Sequence, residues 1–175
     1  MAAGIEGIRE PLMDILKALV VEHGVFNSMF DWIEAQTVAN PAQSRIAGPF
    51  MMAARLLETH ASLEDELLFS ALEPRLTAGG AREELLQKTE HKRLEILIKN
   101  GLMHAAANPD TALSAIEFAR RHFRSEEDIL FPLARKILSP GHLEQLGACL
   151  LSMRGLANAK PEEPAGMASA LRERP

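Results

Sequence analysis

The sequence contains one cysteine and no tyrosine among its 175 residues. A single cysteine, Cys149, excludes an internal disulfide and any metal site built from several thiolates. The absence of tyrosine excludes a tyrosyl radical beside any metal in the chain. Basic residues are also in the minority, and a net charge of -5 leaves no basic surface of the kind that binds nucleic acid. The sequence therefore predicts no nucleic-acid partner.

Long hydrophobic runs are missing as well. The run ILKALVV at residues 15–21 is far shorter than the roughly 20 residues that a transmembrane helix needs. The N-terminal segment has neither the basic start nor the apolar stretch of a secretory signal. We therefore expect a cytoplasmic protein with no membrane partner.

Strand signals are scarce, whereas helical spacing is found along most of the chain. Apolar residues recur at intervals of three and four, and Pro, Gly and Asn separate the segments that carry this pattern. These segments cover about residues 11–35, 41–72, 81–106 and 110–138. Four long helices with short connections favour an up-down-up-down arrangement. The predicted fold class is all-α, a four-helix bundle.

The C-terminal part of the chain differs in composition. Residues 142–153 form a short amphipathic segment that predicts a further helix, and the rest is rich in Pro, Ala and charge. We predict one domain over residues 1–153 and a mobile tail over residues 154–175. Pro132 lies inside the fourth helical segment, where we expect it to kink the helix rather than end it.

Four of the six histidines are distributed one to each predicted helix, near its middle. In an antiparallel bundle such positions lie at one level, so the four imidazoles should surround a common point. They are His23, His60, His91 and His122.

Two of these histidines begin a phrase that occurs twice. HASLEDELLFS starts at His60 and HFRSEEDILFP starts at His122. Residues four apart on a helix differ by only ~40° in direction and ~6 Å along the axis, so Glu64 and Glu126 each point to the same place as the histidine before them. A carboxylate can bridge two cations while imidazoles bind each one. The repeated phrase therefore predicts a two-metal centre.

Any single pair of this kind has an ordinary explanation. A His–Glu pair at this interval is often a surface contact, and a histidine on an apolar face is often a core residue. The order of the whole set favours metal instead, because a helix with one histidine is followed by a helix with His-x-x-x-Glu twice. Two related helical hairpins that face each other would hold a metal pair symmetrically.

This order of residues resembles the hemerythrin-like, or HHE cation-binding, domain family over about residues 10–138. The resemblance implies a four-helix bundle with a non-haem di-iron centre, bridged by two carboxylates and an oxo or hydroxo group. It implies that Glu64 and Glu126 are the bridges. It also implies one iron bound by His23 and His60, and the other by His91 and His122.

The sequence departs from oxygen-carrying hemerythrin at two places. Glu95 stands where that protein has a second histidine on the third helix, and we predict Glu95 either as a further metal ligand or as a neighbour of the ligands. After His122, glutamates follow at both four and five residues, and Glu126 is preferred because its offset matches that of Glu64. Glu127 is expected to matter little, since it is turned ~100° away.

The implied ligand set, rich in histidine and carboxylate, favours two iron ions, with manganese or zinc as alternatives. We expect a binding protein or sensor for dioxygen, nitric oxide or iron rather than an enzyme. One alternative is a di-iron enzyme that acts on peroxide or nitric oxide, or in iron delivery for repair. Another is an interaction module with a structural metal. A sensor would need a separate signalling partner protein, and the sequence leaves the oligomeric state open.

The remaining candidates are interpreted as surface or core residues. His104 and His142 lie outside the repeated pattern and are predicted at the surface. Trp32 and the methionines at helical spacing are predicted to fill the core, with an apolar dioxygen pocket as the alternative for the methionines. These methionines are Met29, Met51, Met52 and Met103.

Overall fold

The computed structural model describes residues 13–39, 47–76, 93, 96, 97 and 109–156. The first long helix, α1, spans Ile15–Ala39, and the second begins with α2 at Ala47–Glu64. The second helix then continues through a π-helical turn at Asp65–Phe69, a short α3 at Ser70–Leu72 and a 3₁₀ turn at Glu73–Arg75.

The C-terminal half repeats this construction. Helix α4 spans Pro109–Ser125, a second π-helical turn covers Glu126–Leu130, and α5 continues over Phe131–Ile137. Helix α6 spans Pro140–Met153. The predicted helix after residue 139 is therefore present and longer than expected.

The all-α four-helix bundle is confirmed, and the described residues contain no strand. Helix α1 packs against α2, α4 and α6. The third helix is described at three residues only, Arg93, Ile96 and Leu97, which are helical. The Arg93 guanidinium lies 5.1 Å from the centre of the Phe118 ring on α4, so this helix is a neighbour of α4.

Side-chain caps fix where two of the helices begin. Asp14 caps α1, because its Oδ1 atom accepts a hydrogen bond from the backbone N–H of Lys17 at 2.9 Å. Ser139 caps α6 by accepting from the backbone N–H of His142 at 3.3 Å, and Pro140 takes the first helical position.

The two π-helical turns lie at nearly the same place in the two repeated phrases. The first closes with a hydrogen bond from the Ser70 N–H to the Asp65 carbonyl, and the second with one from the Phe131 N–H to the Glu126 carbonyl. Pro132 follows the second turn, in the first turn of α5, where its missing N–H does little harm. The kink at Pro132 stays a prediction. The backbone has a π turn just before this residue, and the matching π turn in the first phrase forms without a proline.

Buried apolar residues form two clusters. On each of α1, α2 and α4 the histidine lies at the boundary between them, so the histidine level has an apolar layer on both sides. The aromatic cluster contains Phe26, Phe30, Ile33, Phe50, Ala53, Ala54, Leu57, Ala112, Ala115, Ile116, Phe118, Ala119 and Phe123. The leucine cluster contains Ile15, Leu16, Ala18, Leu19, Leu68, Phe69, Leu72, Leu130, Phe131, Ala134, Leu138, Leu143 and Leu150.

Some residues predicted in the core lie at the surface instead. Trp32 is 50% exposed, and Met51 and Met52 are exposed as well, so the prediction that they fill the core is wrong. The spacing misled because α1 and α2 also carry apolar residues on their outward faces. Met29 is partly buried against the aromatic cluster, whereas Met103 and His104 lie outside the described residues.

Among the described residues, no helix has both the length and the hydropathy that a membrane span requires. The predicted tail lies almost wholly outside the described residues, which end at Leu156. The predicted boundary at residue 153 coincides with the end of α6, but Arg154, one residue later, has contacts inside the bundle.

Candidate metal centre

Five of the seven predicted metal ligands lie together between the two apolar clusters. His23 lies on α1, His60 and Glu64 on α2, His122 on α4, and Glu126 is the first residue of the second π turn. None of the five is more than 3% exposed. The other two predicted ligands, His91 and Glu95, lie outside the described residues.

One contact in this set joins two imidazoles. Nε2 of His23 lies 3.2 Å from Nε2 of His60. With a carboxylate oxygen of Glu126, these nitrogens form a group of three possible ligand atoms that all lie within 4.8 Å of one another. Glu64 is close by, since its Oε2 atom lies 3.7 Å from Nε2 of His60.

Glu126 faces two histidines with its two oxygens. Oε1 lies 2.8 Å from Nε2 of His122, four residues earlier in the chain, and Oε2 lies 3.4 Å from Nε2 of His23 on α1. The Glu126 carboxylate therefore lies between His23, which adjoins His60, and the imidazole of His122. This is the arrangement that a carboxylate bridge between two ions requires.

The outer nitrogens of two imidazoles are hydrogen-bonded to further carboxylates. Nδ1 of His23 lies 2.7 Å from Oε1 of Glu127, and Nδ1 of His60 lies 2.7 Å from Oε2 of Glu22. A carboxylate at one ring nitrogen fixes the tautomer, because that nitrogen then carries the proton and donates it. Histidines that bind metals usually have such a partner.

These hydrogen bonds leave the two Nε2 lone pairs facing each other at 3.2 Å. Two lone pairs at that separation repel unless a proton or a cation lies between them. Two imidazoles that bind one ion at ~2.1 Å, with an angle of about 90° to 110° between them, have nitrogens about 3.0 to 3.4 Å apart. The geometry of His23 and His60 therefore fits a shared metal ion.

The charge of Glu22 is balanced by an arginine from beyond α6. Arg154 donates from Nε to Oε1 of Glu22 at 2.8 Å and from Nη2 to Oε2 at 2.7 Å. Burial alone would raise the pKa of Glu22, but the hydrogen bond with His60 and the two from Arg154 outweigh it and lower the pKa to about 2. Glu22 is thus a carboxylate that accepts the Nδ1 proton of His60.

The pKa of His23 is lowered from its usual value of 6.5, chiefly because the ring is buried. The carboxylates of Glu126, Glu127 and Glu64 oppose that effect without overcoming it, and His60 adds to it. A neutral imidazole keeps a lone pair for a metal ion. Burial therefore prepares His23 to act as a ligand.

Aromatic rings hold the imidazoles in place. Phe123 stacks on the His23 ring with centroids 4.1 Å apart and an angle of 11° between the planes, and Phe131 stacks on it from 5.9 Å. Phe26 approaches His60 edge-on at 5.3 Å. Phe123 and Phe131 both belong to the second repeated phrase, so that phrase supplies packing for His23 as well as charge.

Sequence reasoning missed the carboxylates behind the histidines. The expectation that Glu127 lies away from the site is wrong, because its side chain reaches the neighbouring helix and contacts His23 there. The helical pattern does not single out Glu22, although it directly precedes His23 in the chain. The sequence does place an acid beside a predicted ligand in both cases, Glu22 beside His23 and Glu127 beside Glu126. Position along the chain does not show which side chain on another helix such an acid will contact.

Comparison with protein families gives a match to the hemerythrin HHE cation binding domain over residues 14–134. Comparisons with curated proteins and with solved structures gave no match. The matched range is more than half of the 175 residues, and it contains all seven predicted ligands. The role of those seven as ligands stays a prediction, but the chain belongs to the hemerythrin HHE cation-binding family.

Proposed function

We propose that the protein binds two iron ions at a carboxylate-bridged centre and uses them to bind a small ligand such as dioxygen or nitric oxide. His23 and His60 belong to one ion. His122, with the predicted ligand His91, belongs to the other. Glu126 bridges the two ions, and Glu64 is the second proposed bridge.

The position of Glu126 is the observation that carries this proposal. Its two oxygens face His23 and His122 separately, at 3.4 and 2.8 Å. A site for a single ion needs one carboxylate oxygen and leaves the other to the surrounding protein. At Glu126 both oxygens point to imidazoles on different helices, which favours two ions over one.

Iron is supported by the types of donor atom. Imidazole and carboxylate together suit iron, whereas magnesium prefers oxygen ligands and structural zinc is usually held by four ligands. The chain also lacks the several cysteines that a thiolate site needs. A pair of irons supplies redox chemistry and an affinity for diatomic molecules.

The depth of the site supports a small ligand. All five described candidates are buried, so a large substrate could not reach them without opening the bundle.

The test is metal analysis of the purified protein combined with an absorption spectrum under air and under dithionite. We expect two irons per chain and a visible absorption in air that is lost on reduction. A content of one metal per chain, or a spectrum that does not change on reduction, would contradict the proposal.

The enzymatic alternative is separated by a second measurement. Iron-loaded protein is mixed with peroxide or with nitric oxide under reducing conditions, and consumption is followed over many equivalents. A binding protein should form a stoichiometric adduct. Sustained turnover would replace the binding function with a catalytic one while leaving the di-iron centre in place.

A further inference from the structure

Helix α6 lies beyond the residues that match the family, which end at 134. It nevertheless packs along α1, the helix that carries His23. Arg154 is the C-cap residue of this helix, and its guanidinium donates two hydrogen bonds to Glu22 on α1. The chain therefore connects an element outside the family match to the histidine level of the bundle.

Helix α6 packs closely against the backbone at the start of α1, and Gly147 lies at this contact. A Cβ atom added at Gly147 would lie 2.1 Å from the backbone oxygen of Met13, so only glycine fits there. Leu143 and Leu150, one turn to either side, are buried in the leucine cluster. This contact sets the position of the last turn of α6, and with it the position of Arg154.

We propose that Arg154 is a positioning residue for the metal ion held by His23 and His60, and that it acts through Glu22 on His60. This inference rests on the proposed function, because it assumes that His60 binds an ion. The arginine holds Glu22 with two hydrogen bonds of 2.8 and 2.7 Å. Glu22 in turn lies 2.7 Å from Nδ1 of His60.

The relay works by restricting two side chains. A glutamate has freely rotating bonds, and the two-pronged contact with an arginine fixes both of its oxygens. The fixed oxygen then determines which nitrogen of His60 carries the proton and how the ring is turned. Without Arg154, Glu22 can swing toward solvent and the His60 ring can adopt the tautomer that places its proton on Nε2.

The two histidines of this ion are oriented differently. Glu127, which contacts His23, is 38% exposed, whereas Glu22 is 22% exposed and paired with Arg154. The contact at His23 comes from the bundle itself, through the second π turn. Of these two contacts, the one at His60 depends on the helix that lies beyond the family match.

The first experiment titrates metal-free protein with cobalt(II), a probe whose visible spectrum reports its ligands. The variants are Arg154→Met, Arg154→Lys and a matched control, Arg135→Met. Arg135 also contacts a carboxylate, Asp14, but that contact lies away from the histidines. We expect Arg154→Met to weaken one of two cobalt-binding steps by about 10- to 100-fold, the usual effect of losing such a partner.

The other cobalt step should stay unchanged in Arg154→Met, and both should stay unchanged in Arg135→Met. Arg154→Lys should fall between these, since lysine keeps the charge but cannot hold both oxygens in a planar fork. Equal weakening of both steps, or the same loss in Arg154→Met and Arg135→Met, would show a general structural effect and overturn the proposal.

The second experiment needs no metal. Nitrogen-15 NMR of metal-free protein reports which nitrogen of the His60 ring carries the proton. We expect Nδ1 of His60 to carry a proton in the unaltered protein and to lose it in part of the molecules in Arg154→Met, with circular dichroism showing that the helices are retained. An unchanged tautomer in Arg154→Met would overturn the relay.

The two experiments separate the possible failures. If unaltered protein binds no cobalt, the proposed function fails, and the NMR comparison still decides whether Arg154 sets the state of His60. If unaltered protein binds two cobalt ions and Arg154→Met behaves identically in both experiments, the relay fails and the proposed function stands.

Discussion

The two repeated phrases have similar sequences and similar backbones, but their glutamates lie at different distances from their own histidines. Both phrases form a helix that changes to a π turn at or just after the glutamate. Glu126 lies 2.8 Å from its own histidine and 3.4 Å from His23 on another helix. Glu64 lies 3.7 Å from its own histidine, His60. Equal spacing along the chain has therefore produced unequal contacts.

The difference comes from the neighbouring helices. The second phrase supplies Glu126, Glu127 and two phenylalanines to the surroundings of His23. His60, in the first phrase, is supported instead by Glu22 of α1 and through it by Arg154. The repeated sequence thus gives the two phrases a similar backbone. The residues that neighbouring helices bring to each phrase determine the contacts of its side chains.

The largest expected effect follows from removing the charge of Glu126. Glu126→Gln keeps the size of the side chain but removes the negative charge between His23 and His122. We expect the variant to lose at least one of two irons per chain with unchanged helicity, measured by metal analysis and circular dichroism. Glu64→Gln should also lose iron, but less readily, because its contact with His60 is longer.

The control for this comparison is Glu117→Gln, which removes the same charge from an exposed position on α4. It should keep both irons. If Glu64→Gln loses as much metal as Glu126→Gln, or more, the longer distance at Glu64 does not mean a smaller contribution to metal binding.

Acid sensitivity is expected from two groups on α1, His23 and Glu22, whose pKa values are lowered in the folded protein. The lowered pKa of His23 means that the unfolded chain binds more protons than the folded protein below pH 6.5. The free energy of unfolding of metal-free protein should therefore fall as the pH drops below about 6.5. Glu22, with its pKa lowered from 4.5 to about 2, should cause a further loss between those two values.

Urea denaturation of metal-free protein over this pH range checks both windows. The midpoint should decline below pH 6.5, and the decline between 4.5 and 2 should be smaller in Glu22→Gln, which cannot take up the proton. A midpoint that rises as the pH falls from 6.5 to 4.5 would mean that His23 gains a proton on folding, contrary to its burial.

The repeat explains why much of the fold could be predicted from the sequence. Helical spacing, with Pro and Gly between the segments, indicated the bundle, because α1, α2 and α4 each have a buried face of apolar residues. The meeting of His23, His60, Glu64, His122 and Glu126 followed from their level in an antiparallel bundle. These properties depend on the spacing of residues within one helix, which can be read directly from the sequence.

The parts that were not predicted depend on contacts between helices. The π turns could not be read from the phrases, because the helical period of the apolar residues continues through them. The roles of Glu127 and Arg154 depend on how helices are rotated relative to α1. The rotation of a helix about its axis is set by packing against its neighbours, as at Gly147. No pattern within one helix predicts that rotation.

A smaller effect is expected from Glu127, the residue that follows the bridging position in the second phrase. Glu127→Gln keeps an oxygen that can accept from Nδ1 of His23 but removes the charge that strengthens that bond. We expect cobalt(II) affinity to fall by about tenfold at one step, the low end of the range for such partners. Asp128→Asn, the next residue and also exposed, is the matched control and should leave both steps unchanged.

The smallest expected effect on the metal centre is that of Pro132→Ser, which gives the second phrase the residue of the first. The π turn closes on the N–H of Phe131, one residue before Pro132, so the turn does not depend on proline. Iron content should be unchanged, and the free energy of unfolding should change by about 1 kcal/mol or less, as measured by urea denaturation.

The reverse exchange should not be tolerated. In the first phrase the π turn closes on the N–H of Ser70 itself, one position later than in the second phrase. Ser70→Pro removes that donor from inside a helix and should cost about 3 kcal/mol or more. If both substitutions changed the free energy of unfolding by equally small amounts, the one-residue offset between the two π turns would not affect stability. The halves would then differ only in the residues that face them.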